Sequence, residues 1–124
     1  ETATIRDFDA AAAFFDRLRA LGCRVALDDF GAGHTSFRHL RSLEIDMLKI
    51  DASLIAGLPD DARSRALVTS LIDMAKALEL ETVAEWVGNE TAAAFLRTAG
   101  ATYLQGFLFG KPQSVEELTA KGLL

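Results

Sequence analysis

Cysteine is almost absent from this 124-residue sequence: Cys23 is the single one, so no internal disulfide can form. That excludes the disulfide-stapled secreted class and makes a reducing cytoplasm the expectation. Flanked by Leu21, Gly22 and Val25, Cys23 reads as a structural thiol rather than a reactive one. Long apolar runs are missing as well. No stretch approaches the roughly 18 residues that a membrane span requires, and the opening ETATIRDFDA is polar and acidic, unlike a secretory leader. Basic charge is in short supply, with 13 Lys and Arg against 18 Asp and Glu and a net charge of −5. Broad binding to DNA or RNA rides on a basic surface and is therefore not expected. An acidic chain can still take a phosphate ester where metal ions neutralise its carboxylates.

What remains is the composition of a globular protein, 50% apolar and 25% charged, with enough length to bury a core. Nothing reads as a linker or a low-complexity tract. Short apolar runs alternate with longer amphipathic ones. Arg24-Val25-Ala26-Leu27 ends in Asp28-Asp29, Met47-Leu48-Lys49-Ile50 in Asp51, Thr82-Val83-Ala84 in Glu85, and Thr102-Tyr103-Leu104 in Gln105-Gly106. Each has the shape of a buried parallel strand closed by a polar residue.

The intervening segments read as helices. Phe8, Ala11, Phe15 and Leu18 share a face, with Gly22 as a C-terminal stop. Ser36 to Leu43 is shorter, with Phe37 and Leu40 inward. The clearest helix spans about 61–80, with a stripe of Leu67, Leu71, Met74 and Leu78. Asn89 caps the next helix, which stops before Gly100, and Ser114-Val115-Glu116-Glu117 is a capping box opening a last one. Alternating helices and strands predict an α/β protein with right-handed crossovers and a parallel sheet. Two architectures fit, an open doubly wound sheet and part of a (β/α)8 barrel. Both place polar sites where strands end, and a whole barrel needs roughly 200–250 residues.

The chemistry sits at those strand ends. The adjacent carboxylates of Asp28-Asp29, followed by Phe30-Gly31-Ala32-Gly33, repel each other unless a cation stands between them. Hard oxygen donors of this kind suit Mg²⁺, Mn²⁺ or Ca²⁺; a solvated acidic turn is the alternative. Both side chains face one site only where the strand breaks, which Gly31 and Gly33 permit. Lys49, inside an apolar strand, is unusual for a lysine; it either holds a water or phosphoryl oxygen, or pairs with Asp51 or Asp46. Glu85 and Gln105 complete a ring of polar residues at successive strand ends. Glu81, Glu90, Glu116 and Glu117 read as solvated or capping residues, and His34 and His39 have no ligand partner at useful spacing.

Taken in order and spacing, these motifs resemble the EAL-domain family. Glu1-Thr2, Asp28-Asp29-Phe30-Gly31-Ala32-Gly33, Leu48-Lys49-Ile50-Asp51, Val83-Ala84-Glu85 and Gln105-Gly106-Phe107-Leu108-Phe109-Gly110-Lys111-Pro112 carry the likeness over essentially the whole chain. EAL domains are modified TIM barrels that hydrolyse cyclic di-GMP to pGpG with two Mg²⁺ or Mn²⁺ ions. The resemblance implies about half of a TIM-like (β/α)8 barrel. It also implies metal ligation by Glu1, Asp28, Asp29 and Glu85, with Asp28 bridging the two ions. It gives Lys49 the attacking water, leaves Glu85 beside it in the catalytic group, and makes Gln105, Asp51 and Gly33 supporting or substrate-contacting residues. The expected partner is cyclic di-GMP.

Two departures accompany the likeness. The name-giving Glu-Ala-Leu strand and a strand with a metal-binding Asn have no counterpart within 1–124, so residues 1–124 are expected to be the C-terminal half of the domain. A half barrel exposes strand edges, so self-association and no turnover by this chain alone are expected. Where the family reads Ala-Glu-Gly-Val-Glu, this chain has Ala84-Glu85-Trp86-Val87-Gly88. A supporting glutamate is replaced by Gly88. Trp86 stands at a glycine position, where it either crowds the site or packs, or stacks on a guanine base.

Overall fold

The architecture was read from a computed structural model that describes residues 8–32 and 37–123. Four strands, β1 (Ala26–Phe30), β2 (Met47–Ile50), β3 (Glu81–Ala84) and β4 (Tyr103–Leu104), form one parallel sheet in the order β1-β2-β3-β4. Helices connect them: α1 (Phe8–Ala20) precedes β1, α2 (Phe37–Ser42) links β1 to β2, and α3 (Ala52–Ile55) and α4 (Ala62–Ala77) link β2 to β3. Between β3 and β4 lies α5 (Glu90–Ala99), and α6 (Val115–Ala120) closes the chain. Sequential order with right-handed crossovers puts every connecting helix on one face of the sheet. A doubly wound sheet needs a reversal of strand order, which is absent here, so the progression is that of a barrel wall.

Burial follows that geometry. Leu48, Ile50 and Ala84 are fully buried and Thr82 nearly so, whereas the alternating residues Met47, Lys49, Glu81 and Val83 are only half-buried. The first set packs on helices; the second lines the opposite face. The main core joins Ile50 and Ala84 to Val68 and Ile72 of α4 and to Ala93 and Leu96 of α5. Each fully buried large aliphatic here contributes about 1.5–3 kcal/mol. Thr82 and Thr102 exchange reciprocal hydrogen bonds, each backbone N–H donating to the other's Oγ1 at 3.0 Å. That side-chain pair extends the β3–β4 contact beyond the two ladder residues of β4.

Helix ends match the capping residues in the sequence. Asp61 accepts from the N–H groups of Arg63 and Ser64 at the start of α4, and Asn89 from that of Ala92 at the start of α5. Gly100 ends α5 at φ 88°, and Ser114 and Glu117 form a reciprocal capping box on α6.

The expected faces of the helices need correction. On α4 Leu71 and Met74 pack partly buried against the core as expected, but the fully buried residues are Val68, Ile72 and Ala75, and Leu67 and Leu78 are about half exposed. The stripe is rotated by one position from the leucine pattern, because small and β-branched residues fit closest to the sheet. Phe37 is 66% exposed, touching Phe30 only edge-on at 5.8 Å, while Leu40 does pack inward. Cys23, read as a structural thiol, is exposed. Among the described residues no helix is long and apolar enough to cross a membrane.

Candidate metal centre

The first element of the site is a fault in the ladder. Leu27 pairs with Leu48 and Phe30 with Ile50, so Asp28 and Asp29 together stand opposite the single residue Lys49. Ordinary alternation would send neighbouring aspartates to opposite faces; a bulge cancels it. The backbone turns at Asp29, at φ 54°, a left-handed conformation that Asp tolerates better than most residues. Asp29 N–H donates to Asp28 Oδ1 at 3.0 Å. Gly31 follows at φ 107°, with the Leu54 side chain filling the space a Cβ would take. The strand therefore runs through the acidic pair to the buried Phe30 instead of ending before it.

Lys49 is the second element. Its ammonium lies 2.7 Å from Asp28 Oδ1 and 2.6 Å from Glu85 Oε1. The Lys49 and Glu85 side chains are 23% and 13% exposed, that of Asp28 43%. Partial burial opposes the charge on Lys49, but its hydrogen bonds to Asp28 and Glu85 prevail and raise its pKa above the ordinary value. Burial likewise pushes Asp28 upward, yet the Lys49 ammonium and the Asp29 N–H outweigh it and hold the carboxyl below its ordinary value. The pairing of Lys49 with Asp51 or Asp46 is not what forms. Asp46 accepts from Val25 N–H at 2.6 Å, and Asp51 accepts from Ser53 N–H and Oγ at 2.9 and 2.5 Å as the cap of α3.

Glu85 arrives from β3, whose end is registered by Glu85 N–H donating to Ile50 carbonyl oxygen at 3.3 Å. One carboxylate oxygen each from Asp28, Asp29 and Glu85 then lies within 4.8 Å of the others. Three carboxylates and one ammonium leave two formal negative charges in a partly desolvated rim. The donor set is all hard oxygen, which fits Mg²⁺ or Mn²⁺ and not a soft metal. Asp51 keeps its carboxyl below the ordinary value chiefly through Ser53, and it serves α3 directly. Glu1, Gly33 and His34 lie outside the described residues. Glu81 is not at a helix end; it opens β3 and is ion-paired with Arg24.

Gln105 leaves β4 with its N–H bonded to Ala84 carbonyl oxygen and its own carbonyl accepting from Val87 N–H, both at 2.9 Å. Gly106 is required next, because a Cβ there would overlap the backbone of Val87. These contacts draw the loop after β3 against the loop after β4 and enclose a cavity of about 500 Å³. Trp86, Gln105, Phe107 and Lys111 line it. Trp86 is 76% exposed at φ 56°, so simple packing is not its role. The grouping of Phe107 and Lys111 with Trp86 was not legible beforehand; their only signal was membership of the run from Gln105 to Pro112.

Comparison with known proteins places this geometry in context. Residues 1–112 match the family model described as the EAL domain. The chain is 38% identical over 120 residues to the bifunctional diguanylate cyclase/cyclic di-GMP phosphodiesterase MucR of Pseudomonas aeruginosa, covering 97% of this chain and 18% of MucR. Among solved structures it superposes on the EAL domain of Mycobacterium smegmatis DcpA with a TM-score of 0.90 and 36% identity, covering 98% of this chain and 54% of that one. The manganese/cyclic di-GMP complex of Klebsiella pneumoniae BlrP1 gives a TM-score of 0.81 at 33% identity, covering 90% of this chain and 29% of that one. The chain spans less than a fifth of the length of the curated relatives it matches. With a barrel-type sheet, an acidic cluster at its rim and a family match over nearly its whole length, the chain belongs to the EAL domain family.

Proposed function

We propose that this chain is the C-terminal half of a cytoplasmic cyclic di-GMP phosphodiesterase domain that produces pGpG. The observation that carries the reading is the convergence of Asp28 and Asp29 from β1 and Glu85 from the end of β3 beside Lys49 of β2. Asp28, Asp29, Glu85 and Glu1 would hold two Mg²⁺ or Mn²⁺ ions. Bound there, such ions acidify a water and neutralise charge on a phosphodiester. The chain's own residues do the rest. Lys49 presents ammonium protons to the attacking water, holds the Asp28 carboxyl below its ordinary value, and positions Glu85 by an ion pair. Asp51, by capping α3, fixes the loop beside Lys49, and Gln105 ties the neighbouring strand end to it; Gly33 is proposed as a further supporting residue.

Cyclic di-GMP is the proposed partner, without DNA, RNA or membrane contact by this segment. Within the described residues β1 and β4 each leave one edge unpaired, so this half is proposed to be completed by further barrel strands or by a second copy. Incubation of the intact parent protein with cyclic di-GMP and Mn²⁺ should yield pGpG, and Asp28→Asn should abolish it. Turnover that survives the substitution sinks the reading. Residues 1–124 alone should show none. A second reading, binding without hydrolysis, draws on Gly88, which stands where the family places a supporting glutamate. Metal-independent binding with no turnover in the parent would select it.

A further inference from the structure

The acidic pair is tied down from the opposite end of the sheet. Asp46, just before β2, accepts from Val25 N–H at 2.6 Å through Oδ2, and its own N–H donates to Val25 carbonyl oxygen at 2.8 Å. Its carbonyl oxygen accepts from Glu81 N–H at 3.1 Å, at the start of β3, and Arg19 of α1 lies 3.8 Å from Oδ1. One residue therefore joins the N-terminal ends of three strands. At their other end, Phe30 carbonyl oxygen accepts from Asp51 N–H at 3.1 Å. Between these two ties β1 has five residues, Ala26–Phe30, against four in β2, Met47–Ile50. The surplus residue is the bulge at Asp28 and Asp29, with its turn at φ 54°. A left-handed turn at a residue other than glycine persists only where the surrounding structure over-determines it.

We infer that Asp46 is a positioning residue for the acidic pair: its carboxylate clamps Val25 and so keeps the surplus residue of β1 at Asp28-Asp29. The inference rests on the phosphodiesterase reading for the role of that pair as metal ligands. Val25 precedes Asp28 by three residues, about 10 Å along an extended strand, so Asp46 acts through the backbone. With Phe30 fixed in the core, the bulge relaxes when the N-terminal part of β1 moves back by one residue. That movement carries Leu27 toward Met47 and Asp28 toward Leu48. A one-residue shift turns a side chain to the other face, so Asp28 leaves the rim that holds Lys49 and Glu85. Val25 has to release Asp46 for this to happen, and a hydrogen bond to an ionised acceptor is among the stronger ones. Packing of Val25 beside Leu43 and Ile45 keeps its side chain inward, but hydrophobic contact is non-directional. The directed bond to its N–H sets its place along the strand. Arg19 serves differently. Its guanidinium lies closest to Glu44, at 2.5 Å, and balances charge without fixing the register.

The test titrates the intact parent protein with Mn²⁺ in the absence of substrate. Asp46→Asn keeps an acceptor in place and loses the charge. Asp46→Glu keeps the charge and displaces the carboxylate by a methylene. Asp46→Asn should bind Mn²⁺ nearly as the wild type does, whereas Asp46→Glu and Asp46→Ala should bind it about 10-fold more weakly, as when a group that orients metal ligands is lost. Arg19→Ala should leave Mn²⁺ affinity unchanged, whatever it does to the melting temperature. A role of the charge alone gives the reverse order, with the Glu variant binding better than the Asn variant. That order, or full affinity in Asp46→Ala, overturns the inference. Should Asp46→Ala fail to fold, the Asn and Glu variants still decide it. Amide hydrogen exchange across residues 26–30 in chelator adds a readout without metal, and it should be faster in Asp46→Glu than in Asp46→Asn. Equal exchange in the two overturns the clamp. A wild-type parent that binds no Mn²⁺ yet shows the exchange difference refutes the metal reading of the pair and leaves the clamp standing.

Discussion

Leu27 and Phe30 are three residues apart in the chain yet pair with Leu48 and Ile50, which are two apart, and both pack in the same core cluster. The extra residue between them puts two carboxylates opposite one lysine. If that bulge sets the site, Asp29 is constrained by its backbone as well as its charge. Asp29→Val should destabilise the protein by about 1–3 kcal/mol, whereas Asp29→Gly should be neutral or stabilising while removing a metal ligand. Urea denaturation in chelator measures both. Equal stability of the valine and glycine variants would show that the left-handed turn at φ 54° carries no strain.

Lys49 compensates two carboxylates that would otherwise repel. Lys49→Met should cost about 1–3 kcal/mol, below the figure for a fully buried pair because Asp28 is half open to solvent. Millimolar Mn²⁺ should recover that stability, since a divalent ion can replace the missing ammonium. Thermal melts with and without chelator check this. A variant that melts like the wild type in chelator would show that the two ion pairs contribute nothing.

The same pair sets a pH window. Asp28 has its folded pKa lowered from 3.8, so its contribution is present above that value and is lost as pH falls through the lower folded value. Lys49 has its folded pKa raised from 10.5, so its contribution is full below that value and is lost as pH rises through the higher one. The stability difference between wild type and Lys49→Met should therefore be flat between about pH 5 and 9 in chelator and shrink at both extremes. A difference that grows on acidification would contradict the assignment.

On α4, the rotated stripe makes a contrast within one helix. Ile72 is fully buried, so Ile72→Ala should cost about 2–5 kcal/mol. Leu67, 52% exposed, should lose less than about 1 kcal/mol on truncation to Ala. Chemical denaturation of the two variants distinguishes the observed face from the one the leucine spacing predicts; a reversed order of cost would mean the helix sits one position round.

Much of this molecule was legible residue by residue. Three strand ends with polar terminators, the caps of the later helices and the presence of the acidic pair all follow from local rules; the end of β1, which runs on through that pair to Phe30, does not. Periodicity selects the element, caps fix its ends, and a charged residue in an apolar strand signals a partner. Local rules could not name that partner. Lys49 has Asp46 and Asp51 as sequence neighbours, and it pairs instead with Asp28 and Glu85, which come from the strands on either side. Nor could they find the four-residue helix at Ala52–Ile55, which is too short to show a period.

The sequence by itself determined the four strands and the order of every helix but α3, because hydrophobic spacing and capping act within a few residues. It also determined the inventory of hard oxygen donors. Only the tertiary structure decided which of those donors share a rim, which face of α4 is inside, and that Trp86 stands open beside Gln105 and Lys111. These depend on strand register and on a one-residue bulge, and register is settled by packing between segments far apart in the chain.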